Sequence, residues 1–178
     1  MFRHGPGDDS YMNSPSGQDL RTGLKRRLNK GQKIAIVGIG DELSPADQLG
    51  MFAAREIDKL HLLHVRVFFA GTVPESFTGP LREYHPDHVL FLDSADMGVL
   101  PGTIEMVKPG KIQATLLSTH ILPLSIVMKF VAKDSGAKVT LLGIQPDIVH
   151  PDWQGSPEGQ KSLWRNLSIL VEILQDTA

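Results

Sequence analysis

Four short strand-like stretches, Ile34 to Ile39, Val65 to Ala70, His88 to Leu92 and Lys138 to Ile144, constrain the fold more than any other feature. Ile34 to Ile39 is apolar apart from its glycine, so no face of that strand is left for water, which marks a strand covered on both sides. Between the strands, apolar residues recur at helical spacing. Leu49, Phe52, Ala53, Ile57 and Leu60 form one stripe, and Leu124, Val127, Met128 and Val131 form another after Pro123. Leu163, Leu167, Leu170, Val171 and Leu174 predict a terminal helix, and residues 75–84 a short helical stretch. Thr103 to Val107 alternates after the turn Leu100-Pro101-Gly102 and predicts a strand paired at an edge. This order specifies the α/β class: a three-layer α/β/α sandwich with a mostly parallel twisted sheet plus an edge strand or hairpin.

The 178 residues suit one domain. Residues 1–17 are rich in Gly, Pro, Ser and Asp without periodicity, and Met12 could equally initiate the chain. Leu20, Leu24 and Leu28 follow at i, i+4 and i+8 among Arg21, Lys25, Arg26, Arg27 and Lys30, with Gly31 as a stop. Residues 1–31 therefore read as a mobile leader with a short basic amphipathic helix, and residues 32–178 as a single α/β domain. The helix either lies on that domain or serves as a docking element for an acidic partner.

A formal charge of −2 gives no electrostatic case for nucleic acid. No apolar run approaches the roughly 20 residues a membrane-spanning helix needs, so no membrane insertion is expected and a cytoplasmic location is the default. Without cysteine the chain has no disulfide, thiol nucleophile or cysteine-based metal site. Its chemistry rests on oxygen and nitrogen groups.

Three segments place such groups just beyond strand ends, where an open parallel sheet gathers them in one crevice. Gly38-Ile39-Gly40 lacks the third glycine of a dinucleotide fingerprint, because Leu43 takes that place, and Ala70-Gly71 supplies no acid after the second strand. Asp47 has two readings. Ser44-Pro45-Ala46-Asp47 fits a capping box that opens a helix, and the carboxylate can also face the crevice as a metal ligand. Asp93 follows the strand through Leu92 and serves either as a turn former or as a catalytic carboxylate, while nearby Asp96 reads as a turn residue before Gly98. His120 lies between Leu116-Leu117 and the helix after Pro123, as a structural group or a ligand. Two carboxylates and an imidazole suffice for a three-ligand metal site with room for a substrate. His61, His64, His85 and His88 make no ligand pattern, and neither H-E-x-x-H nor G-x-S-x-G occurs.

The run from Gly38 to Gly50 resembles the opening G-x-G-N-x-L-x-x-D-D/E-x-x-G of the NiFe-hydrogenase maturation endopeptidases. Leu92-Asp93-Ser94-Ala95-Asp96-Met97-Gly98, Thr119-His120-Ile121-Leu122-Pro123-Leu124 and Leu142-Gly143-Ile144-Gln145-Pro146-Asp147-Ile148-Val149 are similar to its later signatures, most of all in the hydrogenase-3 type. The likeness spans about residues 33–175 and makes 32–178 a protease domain. It implies an α/β/α sandwich that removes a short carboxyl-terminal extension from the hydrogenase large-subunit precursor after nickel insertion. It further implies that Asp47, Asp93 and His120 recognise nickel carried by that substrate, leaving the site largely empty in the isolated protein. Two departures concern the first loop: Ala46 stands for an acid and Asp41 for an asparagine. Some relatives also end the second strand in an acid where this chain has Ala70-Gly71-Thr72. The same three groups would also serve a metal-dependent small-molecule hydrolase or a non-catalytic nickel-sensing chaperone.

Overall fold

The computed structural model describes residues 15–108, 123–149 and 156–178. Helix α1 (Pro15–Lys25) leads into β1 (Ile34–Ile39), α2 (Leu49–Asp58) and β2 (Val65–Gly71). A 3₁₀ turn (Pro74–Phe77) and α3 (Thr78–Tyr84) precede β3 (His88–Ser94) and β4 (Ile104–Met106). Helix α4 (Leu124–Ser135), β5 (Lys138–Ile144) and α5 (Pro157–Asp176) complete the described chain. The strands form one sheet of order β2-β1-β3-β5-β4, in which β4 alone runs antiparallel, against β5. The expected mostly parallel sheet with an edge strand is therefore present, and that edge strand runs antiparallel.

Alternation within the central strands divides the core in two. Ile34, Ile36, Leu90, Leu92 and Leu142 pack with α1, α2 and α5 on one face. Ala35, Val37, Val89, Phe91 and Leu141 pack with α3 and α4 on the other. Helix α5 opens on Ser156, whose Oγ accepts the Gly159 N–H at 3.2 Å, with Pro157 in the first turn, where its missing N–H costs nothing. Helix α1 is laid on the domain. Leu20, Leu24 and Leu28 are buried in the first core, and Arg21 forms a forked pair with Glu172 of α5 at 2.5 and 2.8 Å. Among the described residues no helix is long and apolar enough to cross a membrane.

The start of α2 departs from the sequence reading. Ser44-Pro45-Ala46-Asp47 does not form a capping box. Residues 41–47 make turns, in which Ser44 N–H donates to Asp41 O and Asp47 N–H to Ser44 O, and the helix begins at Leu49. Gln48 supplies no side-chain cap; instead the Leu49 N–H donates to the Ser94 hydroxyl of β3 at 3.2 Å. A tertiary contact thus replaces the local one. The reason is proximity: a Cβ added to Gly50 would lie 2.2 Å from Leu92 O and 2.3 Å from Ile39 O. The first turn of α2 rests directly on the backbones of β1 and β3, which only glycine permits.

His88 is the other buried feature of note. It is sealed inside the first layer, with Nε2 2.9 Å from Thr140 Oγ1. Burial first, then the charges of Lys138 and Arg27, lower its pKa from 6.5 to about 4. Between those values the unfolded chain binds a proton that the folded chain rejects, so stability falls as pH drops through that window.

Chemical denaturation at pH 7 and pH 4.5 should therefore differ by up to about 3 kcal/mol from this group. His88→Gln should flatten that slope, whatever its effect at neutral pH. Gly50→Ala should lose about 2–3 kcal/mol in the same assay, because both obstructing atoms are backbone and cannot swing aside.

Candidate active site at the carboxyl edge of the sheet

From β1 the chain crosses by α2 to β2 on one side, then returns by α3 to β3 on the other side of β1. The strand order therefore reverses between β1 and β3. At such a switch point the following loops part and leave a crevice beyond the strand ends. Asp47 belongs to the loop leaving β1 and Asp93 to the end of β3.

The first loop is shaped by its own acids. Asp47 Oδ2 accepts the Asp41 N–H at 3.1 Å, and Asp41 Oδ1 accepts the Leu43 N–H at 2.9 Å. An asparagine at position 41 would offer the same accepting oxygen, so this departure from the family motif leaves the loop intact. Gly40 has φ 130°, and a Cβ there would lie 1.8 Å from the Asp47 carbonyl, which fixes Asp47 against the end of β1. Glu42 and Arg55 form a forked pair with both contacts at 2.8 Å, tying the loop to α2 and holding the Glu42 carboxyl below its ordinary range.

Asp93 differs from expectation in its setting. The strand does not stop at Leu92; it runs through Ser94, and Asp93 pairs in register with Gly143 of β5. Its Oδ1 accepts the Ser94 N–H at 2.8 Å, and the residue is fully buried rather than standing in an open turn. By alternation Asp93 belongs to the α3 and α4 face with Val89 and Phe91, whereas Ser94 turns to α2. A buried carboxylate inside a strand is hard to foresee, because Asp is depleted in strands and its presence ordinarily signals their end. Asp96 is the turn residue expected: its Oδ1 accepts from Gly98 N–H and from Gln145 Nε2, both at 3.3 Å.

The edge thus brings Asp47 and Asp93 to neighbouring strand ends, joined by the Leu49–Ser94 hydrogen bond. His120 lies outside the described residues. Among the described residues no three His, Asp or Glu side chains gather closely enough to hold a metal ion. His64 and His88 serve structure instead. His64 Nε2 lies 2.9 Å from Leu174 O and 3.1 Å from Thr177 Oγ1, near the opposite end of the sheet.

Two supporting residues had no role in the sequence reading. Gln145 links the loops after β3 and β5: its Oε1 accepts the Met97 N–H at 2.7 Å. Asp147 accepts the N–H of Val149 at 3.1 Å and of Ser156 at 2.9 Å. Both lie in the Gly143-to-Val149 motif, so the signal was its unusual sequence rather than any periodicity.

Comparison with known proteins agrees with this architecture. The family model HycI, hydrogenase maturation protease, matches residues 51–172. The hydrogenase 3 maturation protease of Escherichia coli is 38% identical over 115 residues, which is 64% of this chain and 73% of that protein. A Methanocaldococcus jannaschii protein, provisionally named as a hydrogenase maturation protease, is 34% identical over 134 residues, covering 71% of this chain and 79% of its own. The crystal structure of the NiFe-hydrogenase maturation protease HycI from Thermococcus kodakarensis superposes with TM-score 0.68 at 29% identity, over 82% of this chain and 94% of that one. The chain belongs to the HycI family of hydrogenase maturation proteases.

Proposed function

We propose that this protein is a nickel-gated endopeptidase that removes the carboxyl-terminal extension of a NiFe-hydrogenase large-subunit precursor. The observation that carries this reading is the placement of Asp47 and Asp93 at adjoining carboxyl ends of β1 and β3, at the switch point of a chain in this family. Sequence likeness adds His120 as the third group. In the substrate, nickel already sits on cysteine thiolates, softer and stronger donors than two carboxylates and an imidazole. Such groups cannot extract the metal. They can fill its vacant positions and so register that insertion is complete.

Contact with nickel would also set the scissile bond beside Asp47, Asp93 and His120. The attacking group is then a water held by a carboxylate or polarised by the substrate's own metal. Because Asp93 is fully buried, docking of the precursor must open this edge before the ion reaches that carboxylate. Gating by access as well as by ligation suits an enzyme that must ignore unfinished substrate. The precursor is thereby the partner and the carrier of nickel. The isolated protein needs no resident metal, and cytoplasmic action fits a step that precedes completion of the hydrogenase.

Mass measurement of precursor after incubation tests the scheme. Nickel-loaded precursor should lose its extension, and nickel-free precursor should stay whole. Asp93→Asn and His120→Ala should each reduce processing at least about a hundredfold, as expected when a group acting in the transition state is removed. Metal analysis of the purified protein should find well under one nickel per chain. Stoichiometric retention would favour a hydrolase with its own metal, and precursor binding without cleavage would favour a chaperone.

A further inference from the structure

Main-chain support for Asp93 comes from one side of its strand. The pairing of β3 with β1 runs to Leu92, opposite Gly38, whereas its pairing with β5 runs on through Asp93 and Ser94, opposite Gly143 and Ile144. The Ala95 N–H, donated to Ile144 O at 3.0 Å, carries the ladder one step further. Beyond it the side chain of Gln145 takes over.

Gln145 is 3% exposed, and each of its polar groups is engaged. Its Oε1 accepts the Met97 N–H at 2.7 Å, and its Nε2 donates to Asp96 Oδ1 and to Pro146 O, both at 3.3 Å. Its own N–H donates to Thr103 O at 2.9 Å, and its carbonyl accepts the Gly102 N–H at 2.8 Å. One buried residue thus grips both arms of the loop that leaves β3. The arrangement calls for an amide, which turns an acceptor to Met97 N–H and a donor to the Asp96 carboxylate. A carboxylate of the same length offers acceptors alone, and a thioether offers no donor.

The grip reaches Asp93 through Met97. Positions in register on neighbouring strands face the same side of the sheet, about 4.8 Å apart, so position 143 stands beside Asp93. Position 143 is glycine, and a Cβ there would lie 3.0 Å from Met97 Sδ and 2.9 Å from Ala95 Cβ. The thioether therefore fills the place next to the Asp93 side chain. Where it lies is set by the bond from Met97 N–H to Gln145.

We propose that Gln145 is a positioning residue for the processing reaction: by fixing Met97 it holds the Asp93 carboxylate in the orientation from which it meets the substrate's metal. Gln145 touches neither precursor nor nickel, so its effect passes through Asp93; this step rests on the function proposed above. A displacement of about 1 Å at a reacting group costs on the order of a hundredfold in rate, which is the leverage of such a buried clip. Its contribution falls on turnover, not on holding the precursor.

Steady-state processing of nickel-loaded precursor by the full-length protein tests the assignment, together with affinity for nickel-free precursor. Gln145→Met removes both side-chain bonds at nearly constant length. It should lower kcat at least about tenfold while nickel-free precursor binds with unaltered affinity. Gln145→Glu/Asp96→Asn keeps an acceptor for the Met97 N–H and removes the opposing charge, so it should recover most of that loss. Thr140→Val deletes the buried contact with His88 toward the amino end of the strands, and should cost stability without slowing turnover. A folded Gln145→Met protein with normal kcat overturns the assignment, as does a folded double variant as slow as Gln145→Met. Equal slowing in Thr140→Val overturns it too, because lost stability alone would then account for the effect. If Gln145→Met fails to fold, Met97→Ala, which removes the thioether and no hydrogen bond, is read by the same kcat criterion. Cleavage by the unaltered protein alongside unslowed Gln145 variants sinks the positioning role alone; an unaltered protein that leaves nickel-loaded precursor whole sinks the function on which that role rests.

Discussion

Everything at the carboxyl edge depends on one close approach, the seating of Gly50 on the carbonyls of Leu92 and Ile39. Helix α2 can descend onto the sheet there because position 50 has no side chain and because Gly38, under the helix, has none either. A Cβ at Gly38 would lie 2.5 Å from Ala54 Cβ. This contact fixes where the helix begins, and hence how much chain is left to form the loop that bears Asp47. It also brings the Leu49 N–H to Ser94, which couples that loop to the strand carrying Asp93. Two acids 46 positions apart in the chain become parts of one edge through a few backbone contacts.

The edge is assembled from three loops fastened by side-chain to backbone hydrogen bonds. Asp41 and Asp47 shape the first, Gln145 binds the second to the third, and Asp147 closes the third. Carboxylates that accept backbone N–H groups hold irregular chain in place without regular secondary structure. Away from this edge the polar groups have structural work, as the pairing of Arg21 with Glu172 and the sealing of His88 against Thr140 show.

Much of the fold was readable along the chain. The strands β1, β2, β3 and β5, the edge strand β4 without its direction, and the helices after Pro123 and at the carboxyl end follow from period and from Gly and Pro punctuation, because burial on two faces writes itself into composition. Two features of the site were not readable. Ser44-Pro45-Ala46-Asp47 obeys every local rule for a helix start, yet the helix opens at Leu49, because a tertiary hydroxyl and a glycine contact outweigh a cap worth about 1 kcal/mol. Asp93 looks like the end of a strand, yet the ladder with β5 continues through it.

By itself the sequence determined the class of fold and the family motif that contains Asp47 and Asp93, since these depend on residue type and short-range order. Only the tertiary structure decided that β1 and β3 adjoin at the switch point, that Asp93 is buried while Leu43, Leu100 and Val149 are not, and that the helix α1 belongs to the core. Each of those depends on which distant backbones come within van der Waals contact, a quantity that local pattern does not encode.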